Sequence, residues 1–259
     1  MDRKTEILIT NDDGIRAKGL ETLAGQLGEL GKVTVVAPES EQSASSHSIT
    51  LNSPLRIKKY RESWYSVSGS PADCVIMAIY RIMAKRPDII VSGVNDGPNM
   101  GEDVIYSGTV GAAIEGHILG IDSMAVSVTS YNSGLFEPAA GVARYLAGKI
   151  IGKNNKQRVL LNVNVPPLQS DSIGGISVTK LGSRVYNDLI IEKYDPRGKK
   201  YFWIGGGDPG WKDEEKTDFS AVKSGRISVT PLTISMTDYS MMIELESWNL
   251  DLGDISDSD

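Results

Sequence analysis

Through the first 165 residues, short apolar runs alternate with segments of helical periodicity, and this constrains the fold more than any other feature. "EILIT", "KVTVVAP", "PDIIVSGVN", "SMAVSV" and "RVLLNVNVPP" read as strands. An unbroken apolar run of this length is the mark of a strand buried on both faces. Between them, "KGLETLAGQLGELG" sets Leu20, Leu23, Leu27 and Leu30 at helical spacing and ends at Gly31, a C-terminal stop. "PADCVIMAIYRIM", with Pro71 in its first turn, "SGTVGAAIEGHILG" and "PAAGVARYLAGKII" read as further helices. Alternating strands and helices predict a parallel sheet covered by helices. Segments 55–60 and 64–68 add two shorter strands, read as a hairpin.

After residue 165 the rhythm changes. "GISVTKLG", "DLIIEKY", "KYFWIGG" and "GRISVTPLTI" are strand-like and separated by Gly-, Asp- and Pro-containing turns. The chain therefore divides into an α/β core, 1–165, and a β-rich extension, 166–259; the resemblance given below implies that the core is catalytic and that the extension ends in a C-terminal oligomerisation arm. The acidic tail "WNLDLGDISDSD" is expected to fray.

Several function classes fall away. The net charge of −6 provides no basic footprint for nucleic acid. The single Cys74 makes neither an intramolecular disulfide nor a thiolate metal cluster. No stretch approaches the ~18 apolar residues of a membrane span, and "MDRKTE" opens no signal peptide, so the expected location is cytoplasmic. No GxGxxG follows the first strand, and no GxxxxGK[ST] occurs. Gly14 stands two beyond Asp12, where a haloacid-dehalogenase phosphatase has its second Asp.

In an open parallel sheet, ligands bind beyond the carboxyl ends of the strands. The first strand is followed by Asn11, Asp12 and Asp13, the second by the hydroxyl-rich "APESEQSASSHS", and the third by "SGVNDGPNMG", with Asn95 and Asn99. "YSGTVGAA" then opens a helix with Ser107, Gly108 and Thr109. Such oxygen donors suit magnesium or manganese. A helix start with free N–H groups and roughly half a positive charge suits a phosphate. Gly93, Gly97 and Gly101 allow close backbone approach. A metal, a carboxylate pair and an anion-binding helix start together point to phosphate ester hydrolysis. Taken singly, each piece also has an ordinary reading: a capped turn for Asp12 and Asp13, a solvated loop for the serines, an N-cap for Ser107 and core packing for Cys74.

The blocks "NDDG", "VVAPESEQSASS", "GSPADCV", "PDIIVSGVNDGPNMG", "YSGTVGAA" and "TDFSAVKSGRISVTPLT", in that order, resemble the SurE (survival protein E) family of metal-dependent 5′/3′-nucleotidases. The resemblance implies a fold of class α/β: a Rossmann-like, mostly parallel sheet sandwiched by helices, with a smaller β-rich C-terminal extension. It implies one divalent cation per subunit, Mg²⁺ or Mn²⁺, held by Asp12, Asp13, Ser43 and Asn95, with Asp12 and Asp13 catalytic. Asn11, Asn99, Ser107, Gly108 and Thr109 would line the phosphate pocket. The residues alone do not select Ser43 over Ser40, Ser45 and Ser46. The implied partners are a nucleoside monophosphate and further copies of the chain, as a homodimer or tetramer whose C-terminal arms, including "SWNLDL", exchange. Neither nucleic acid nor membrane is expected.

Three positions depart from the family pattern. Lys18 stands where Pro is common, Ala44 follows Ser43 where Gly is common, and His47 stands where a small polar residue such as Asn is expected. Ala44 narrows the backbone choices of its loop. Attack by an activated water and by an aspartate both fit the residues. The reading from another class is a non-catalytic nucleotide-binding regulatory protein using the same pocket. A structural scaffold that forms oligomers is a third.

Overall fold

The computed structural model describes residues 4–131, 134–154, 157–185, 190–204, 210–248 and 250. The expected fraying of the tail, and parts of "MDRKTE", "DLIIEKY", "KYFWIGG" and "SWNLDL", lie outside them.

The first strand, β1 (Glu6–Thr10), is buried at every residue. It pairs in parallel with β2 (Lys32–Pro38) on one side and with β5 (Ile89–Asp96) on the other. β3 (Ile57–Arg61) and β4 (Trp64–Val67) form the expected hairpin, and β4 joins β2 in parallel. β6 (Asp122–Val128) and β7 (Leu160–Val165) continue the parallel run beyond β5. The nine-stranded sheet has the order β3-β4-β2-β1-β5-β6-β7-β13-β8.

β1 explains the layering. Side chains alternate across a strand, so a run that is apolar at every position must have cover on both faces. Ile7 and Ile9 point to the layer of α1 (Lys18–Leu27) and α4 (Phe136–Ile151), where Leu20, Leu23, Leu27, Ala143 and Ala147 are buried. Leu8 points to the opposite layer, with Cys74 and Val75 of α2 (Pro71–Met77) and Ala112 of α3 (Gly108–Ile118). Cys74 is thus a core residue, and burial pushes its thiol pKa well up.

Two helix ends differ from the sequence expectation. α1 stops at Leu27, capped by Gly28, whose N–H donates to the Ala24 carbonyl. Gly31 instead serves the approach to β2: a Cβ there would lie 2.4 Å from the Thr5 carbonyl oxygen. The helix that begins at Pro71 widens into a π-helical turn at Ala78–Ile82. Its start follows sequence logic. Ser70 accepts from the Asp73 N–H while the Asp73 carboxylate accepts from the Ser70 N–H.

The sheet also crosses the boundary drawn at residue 165. β13 (Ile227–Pro231) runs antiparallel to β7, and β8 (Ile176–Val178) pairs in parallel with β13. The cause is local: Ile227 and Val229 are apolar residues that face the same core as β7. β9 (Arg184–Val185) pairs with β12 (Gly210–Trp211), and β10 (Ile190–Tyr194) with β11 (Lys200–Ile204), as separate two-stranded ribbons. α5 (Asp218–Lys223) packs beside β13, and α6 (Tyr239–Ser247) buries none of its residues.

This topology positions the site. From β1 the chain moves outward to β2, whereas from β5 it moves the other way to β6. The carboxyl ends of β1 and β5 therefore flank the point where the connections diverge, which is where open α/β sheets leave a crevice.

Candidate functional site

Asn11 leaves β1 fully buried and shapes the turn that follows. Its Nδ2 donates to the Gly14 carbonyl at 3.1 Å, and its Oδ1 accepts from the Gly14 N–H at 3.2 Å. Gly14 has φ +97°, a value that favours glycine, and a Cβ there would meet the backbone of Ser40 at 3.2 Å. The turn holds Asp12 inward and Asp13 at the edge.

Asp12 is buried. Its Oδ1 accepts from the Thr109 hydroxyl at 2.5 Å, and the Thr109 backbone N–H also faces the carboxylate. The positive end of α3 is thereby directed at Asp12. Burial still raises the Asp12 pKa above its ordinary value, against the lowering by these hydrogen bonds. Asp13 is pushed up to about 7, first by burial and then by the charge of Asp12. The Asp96 N–H opposes this, while the Asp96 and Glu41 carboxylates add to it. Asp96 and Glu41 are therefore near neighbours of the pair that the sequence reading did not single out.

The loop after β2 is stitched to this turn. Gln42 N–H donates to the Asp12 carbonyl at 2.8 Å, and Ser46 N–H donates to the Tyr106 carbonyl at 3.0 Å. Ala44 adopts φ +56° and Ser46 φ +54°. Ala44 thus takes the left-handed conformation that Gly would adopt more readily. Ser43 is exposed and donates to Glu41 Oε1 at 2.5 Å. His47 Nε2 lies 2.7 Å from Glu115 Oε2 on α3, which fastens the far end of the loop.

At the end of β5, Asn95 Nδ2 donates to the Gly97 carbonyl at 2.8 Å. Asn99 is buried in an amide network. Its N–H donates to Asn164 Oδ1 and its Nδ2 to Ser127 Oγ, while its carbonyl accepts from Asn162 and Asn164. Asn162 and Asn164 carried a sequence signal that went unread: two amides at i and i+2 share one face of an otherwise apolar strand. Ser107 caps α3 by accepting from the Val110 N–H at 3.1 Å.

A carboxylate from the far end of the chain pins the third loop. Asp218 is fully buried and accepts from the N–H groups of Gly101, Gly182 and Phe219, each at 2.8 Å. Burial raises its pKa, and these three donors lower it.

The structure therefore brings Asp12, Thr109 and Gly108 into direct contact, with Asp13 adjoining. It turns Asn11 into the turn itself, Asn99 toward Ser127 and Asn164, and Ser43 toward Glu41. A Cβ built on Gly108 would stand 2.9 Å from Asp12 Cβ, 3.1 Å from Asp12 Oδ2 and 2.5 Å from Ser45 Oγ. Among the described residues no cluster of three or more His, Cys, Asp or Glu could hold a metal, and a set of two carboxylates, a serine and an asparagine is of another composition.

The sequence model of the family described as "Survival protein SurE" matches residues 7–188, which contain all of these candidate residues except Asp218. The chain belongs to the SurE family. The protein named 5′-nucleotidase SurE of Geobacter sulfurreducens is 46% identical over 245 residues, 94% of each chain. Its namesake in Caldanaerobacter subterraneus subsp. tengcongensis is 46% identical over 256 residues, 96% of this chain and 99% of that one. The crystal structure of the SurE protein from Aquifex aeolicus is similar at a TM-score of 0.85 and 40% identity, covering 95% of this chain and all of that one. The α/β fold with a mostly parallel sheet and small antiparallel ribbons is thus shared with a solved SurE structure. Among the described residues no helix is long and apolar enough to cross a membrane.

Proposed function

We propose that the chain is a metal-dependent phosphomonoesterase that hydrolyses nucleoside 5′(3′)-monophosphates to nucleoside and phosphate, working in the cytoplasm. The observation that carries this is the buried Asp12 carboxylate, held by Thr109 at the start of α3 and packed against Gly108, in a chain similar to proteins named 5′-nucleotidase SurE.

The donor chemistry fits one divalent cation, Mg²⁺ or Mn²⁺. Two adjacent carboxylates are both pushed toward protonation by burial and one by the other's charge, and a cation relieves both penalties. Asp12, Asp13, Ser43 and Asn95 would hold it, all through hard oxygen atoms. When bound, such an ion supplies charge neutralisation and Lewis-acid polarisation of the phosphoryl group.

The remaining work falls to the chain. Thr109 keeps Asp12 in one orientation. Asp12 or Asp13 acts on the reacting centre, either by attack or by taking a proton from water. The start of α3, at Ser107, Gly108 and Thr109, stabilises the charge that develops on the phosphoryl oxygens. In the net reaction the ester P–O bond breaks, water supplies the new P–O bond, and the nucleoside oxygen leaves with a proton.

Self-association as a homodimer or tetramer belongs to the same proposal. α6 exposes Tyr239 and Ile243, Trp248 follows it exposed, and the β10–β11 ribbon exposes Phe202, Trp203 and Ile204, apolar surface that suits burial between copies.

The test is phosphate release from AMP and from an aryl phosphate, with Mn²⁺ and with chelator. Release that chelator abolishes is the expected result. AMP binding without release would instead make the chain a nucleotide-binding regulator.

A further inference from the structure

The loop after β2 lies along one stripe of α3. Residues 108, 111 and 115 fall at i, i+3 and i+7, on the same face of the helix. A Cβ built on Gly108 would stand 2.5 Å from Ser45 Oγ. One built on Gly111 would stand 2.5 Å from the Ser46 carbonyl oxygen and 3.0 Å from His47 Cα. The two glycines therefore let the loop lie close against the helix. Glu115, one turn beyond Gly111, meets His47 Nε2 at 2.7 Å. A carboxylate oxygen accepts, so the imidazole N–H is the donor.

Glu115 is buried, and among the described residues His47 is the hydrogen-bond partner of its carboxylate. A buried carboxylate without a partner is costly, so the bond stabilises the chain in its own right. Its position gives it a second role. At the near end of the loop, the Gln42 N–H donates to the Asp12 carbonyl at 2.8 Å. At the far end, the Ser46 N–H donates to the Tyr106 carbonyl at 3.0 Å, and His47 reaches Glu115. Ser43 lies between these anchors, followed by the left-handed Ala44 and Ser46. The same helix sends Thr109 to Asp12. One rigid element thus fixes both the Asp12 carboxylate and the loop that carries Ser43.

We propose that His47 is a positioning residue for the cation: its hydrogen bond to Glu115 clamps the loop of residues 42–47 on α3 in the shape that presents Ser43. This rests on the metal-dependent reading above, in which Ser43 is one of the residues that hold the ion. His47 touches neither cation nor substrate in this role. It acts through the backbone between its anchor and Ser43, so its loss weakens cation binding and leaves the chemical step intact once the ion is seated.

The experiment compares the full chain with His47→Ala, His47→Phe, His47→Gln, Glu115→Ala and the double variant His47→Ala/Glu115→Ala. Three quantities are read: the Mn²⁺ Kd by calorimetry, AMP hydrolysis as a function of Mn²⁺ concentration, and the Tm in chelator. His47→Ala is expected to raise the Mn²⁺ Kd about ten-fold, the lower end of what residues that orient metal ligands usually cost. His47→Phe, which fills the space of the ring and cannot donate, behaves alike and serves if the alanine variant fails to fold. His47→Gln places an amide N–H where Nε2 stands and returns the Kd to within about two-fold of wild type. Glu115→Ala matches His47→Ala, and the double variant is no worse than either, as for two groups that act as one unit. AMP hydrolysis by His47→Ala needs more Mn²⁺ but reaches a plateau within about two-fold of wild type. A lowered Tm with an unchanged Mn²⁺ Kd overturns the proposal, since the bond would then only stabilise the fold. Independent, multiplying losses in the double variant also overturn it. A wild-type chain that binds Mn²⁺ yet hydrolyses neither AMP nor an aryl phosphate overturns the hydrolase reading alone, because the Mn²⁺ Kd still decides the role of His47. A wild-type chain that binds no Mn²⁺ overturns both.

Discussion

The Thr109 hydroxyl donates to Asp12 Oδ1 at 2.5 Å across 97 residues of sequence. This bond joins the start of α3 to the end of β1 and sets which way the Asp12 carboxylate faces. Thr109→Val keeps the shape of the side chain and removes the donor. Turnover should fall about ten-fold or more, and stability by roughly 1.5–3 kcal/mol, the cost of a hydrogen bond to a charged group. Steady-state kinetics and a thermal melt check both. A variant with full turnover would mean that Asp12 needs no such orientation.

Asp12→Asn and Asp13→Asn should each lower kcat by orders of magnitude while the chain stays folded. In the absence of a cation these variants should melt no lower than wild type, because each removes a buried charge that Asp12 and Asp13 hold against desolvation. Near-wild-type turnover in either variant would remove that residue from the catalytic assignment.

The stability of the chelated protein should depend on pH with an unusual sign. The Asp13 pKa is raised from 3.8 to about 7, so between those values the folded chain binds more protons than the unfolded one. Stability from this group is fully present below about pH 4 and is lost as pH rises toward 7. Asp12 is shifted in the same direction. The Tm in chelator should therefore decline from pH 5 to 7.5 more steeply for wild type than for Asp13→Asn, and Mn²⁺ added at pH 7.5 should raise it. Parallel pH profiles for the two proteins would show that Asp13 titrates normally.

Asp218→Ala leaves three backbone donors, at Gly101, Gly182 and Phe219, without their acceptor. A loss of about 3 kcal/mol or more is expected on denaturant titration. Activity should suffer as well, since Gly101 ends the loop that follows Asn95 and carries Asn99. A loss under about 0.5 kcal/mol would mean that water replaces the carboxylate at little cost.

Deleting the chain from residue 236 onward removes α6, which buries none of its own residues. The molar mass by light scattering should drop below that of the full chain if α6 mediates assembly. An unchanged oligomer would shift that role to the β10–β11 ribbon.

The core of this fold is legible because its signals are local and repeated. Ile7, Leu8 and Ile9 are apolar in succession, which requires helices on both faces, and periodic leucines supply one of them. The general place of the site follows too, since Asp12 and Asn95 end strands on either side of the point where the connections diverge. What escaped the reading depends on contacts between segments far apart. Asp218 reaches Gly101 over 117 residues, and no spacing rule encodes that pairing. The closeness of Ser45 to the start of α3 depends on where Gly108 comes to rest, and the sequence could not separate Ser45 from its neighbours. Gly31 is a reminder that a glycine after a periodic run need not end the helix. Gly28 does so, and Gly31 is there to pass Thr5.

The left-handed Ala44 and Ser46 have a consequence for how the cleft performs. Backbone of this kind costs non-glycine residues on the order of 1–2 kcal/mol each, and it persists only where surrounding bonds leave no alternative. A strand-to-strand connection constrained in this way has few rival shapes to visit. The entropy of arranging its hydroxyls is spent once, as the chain folds.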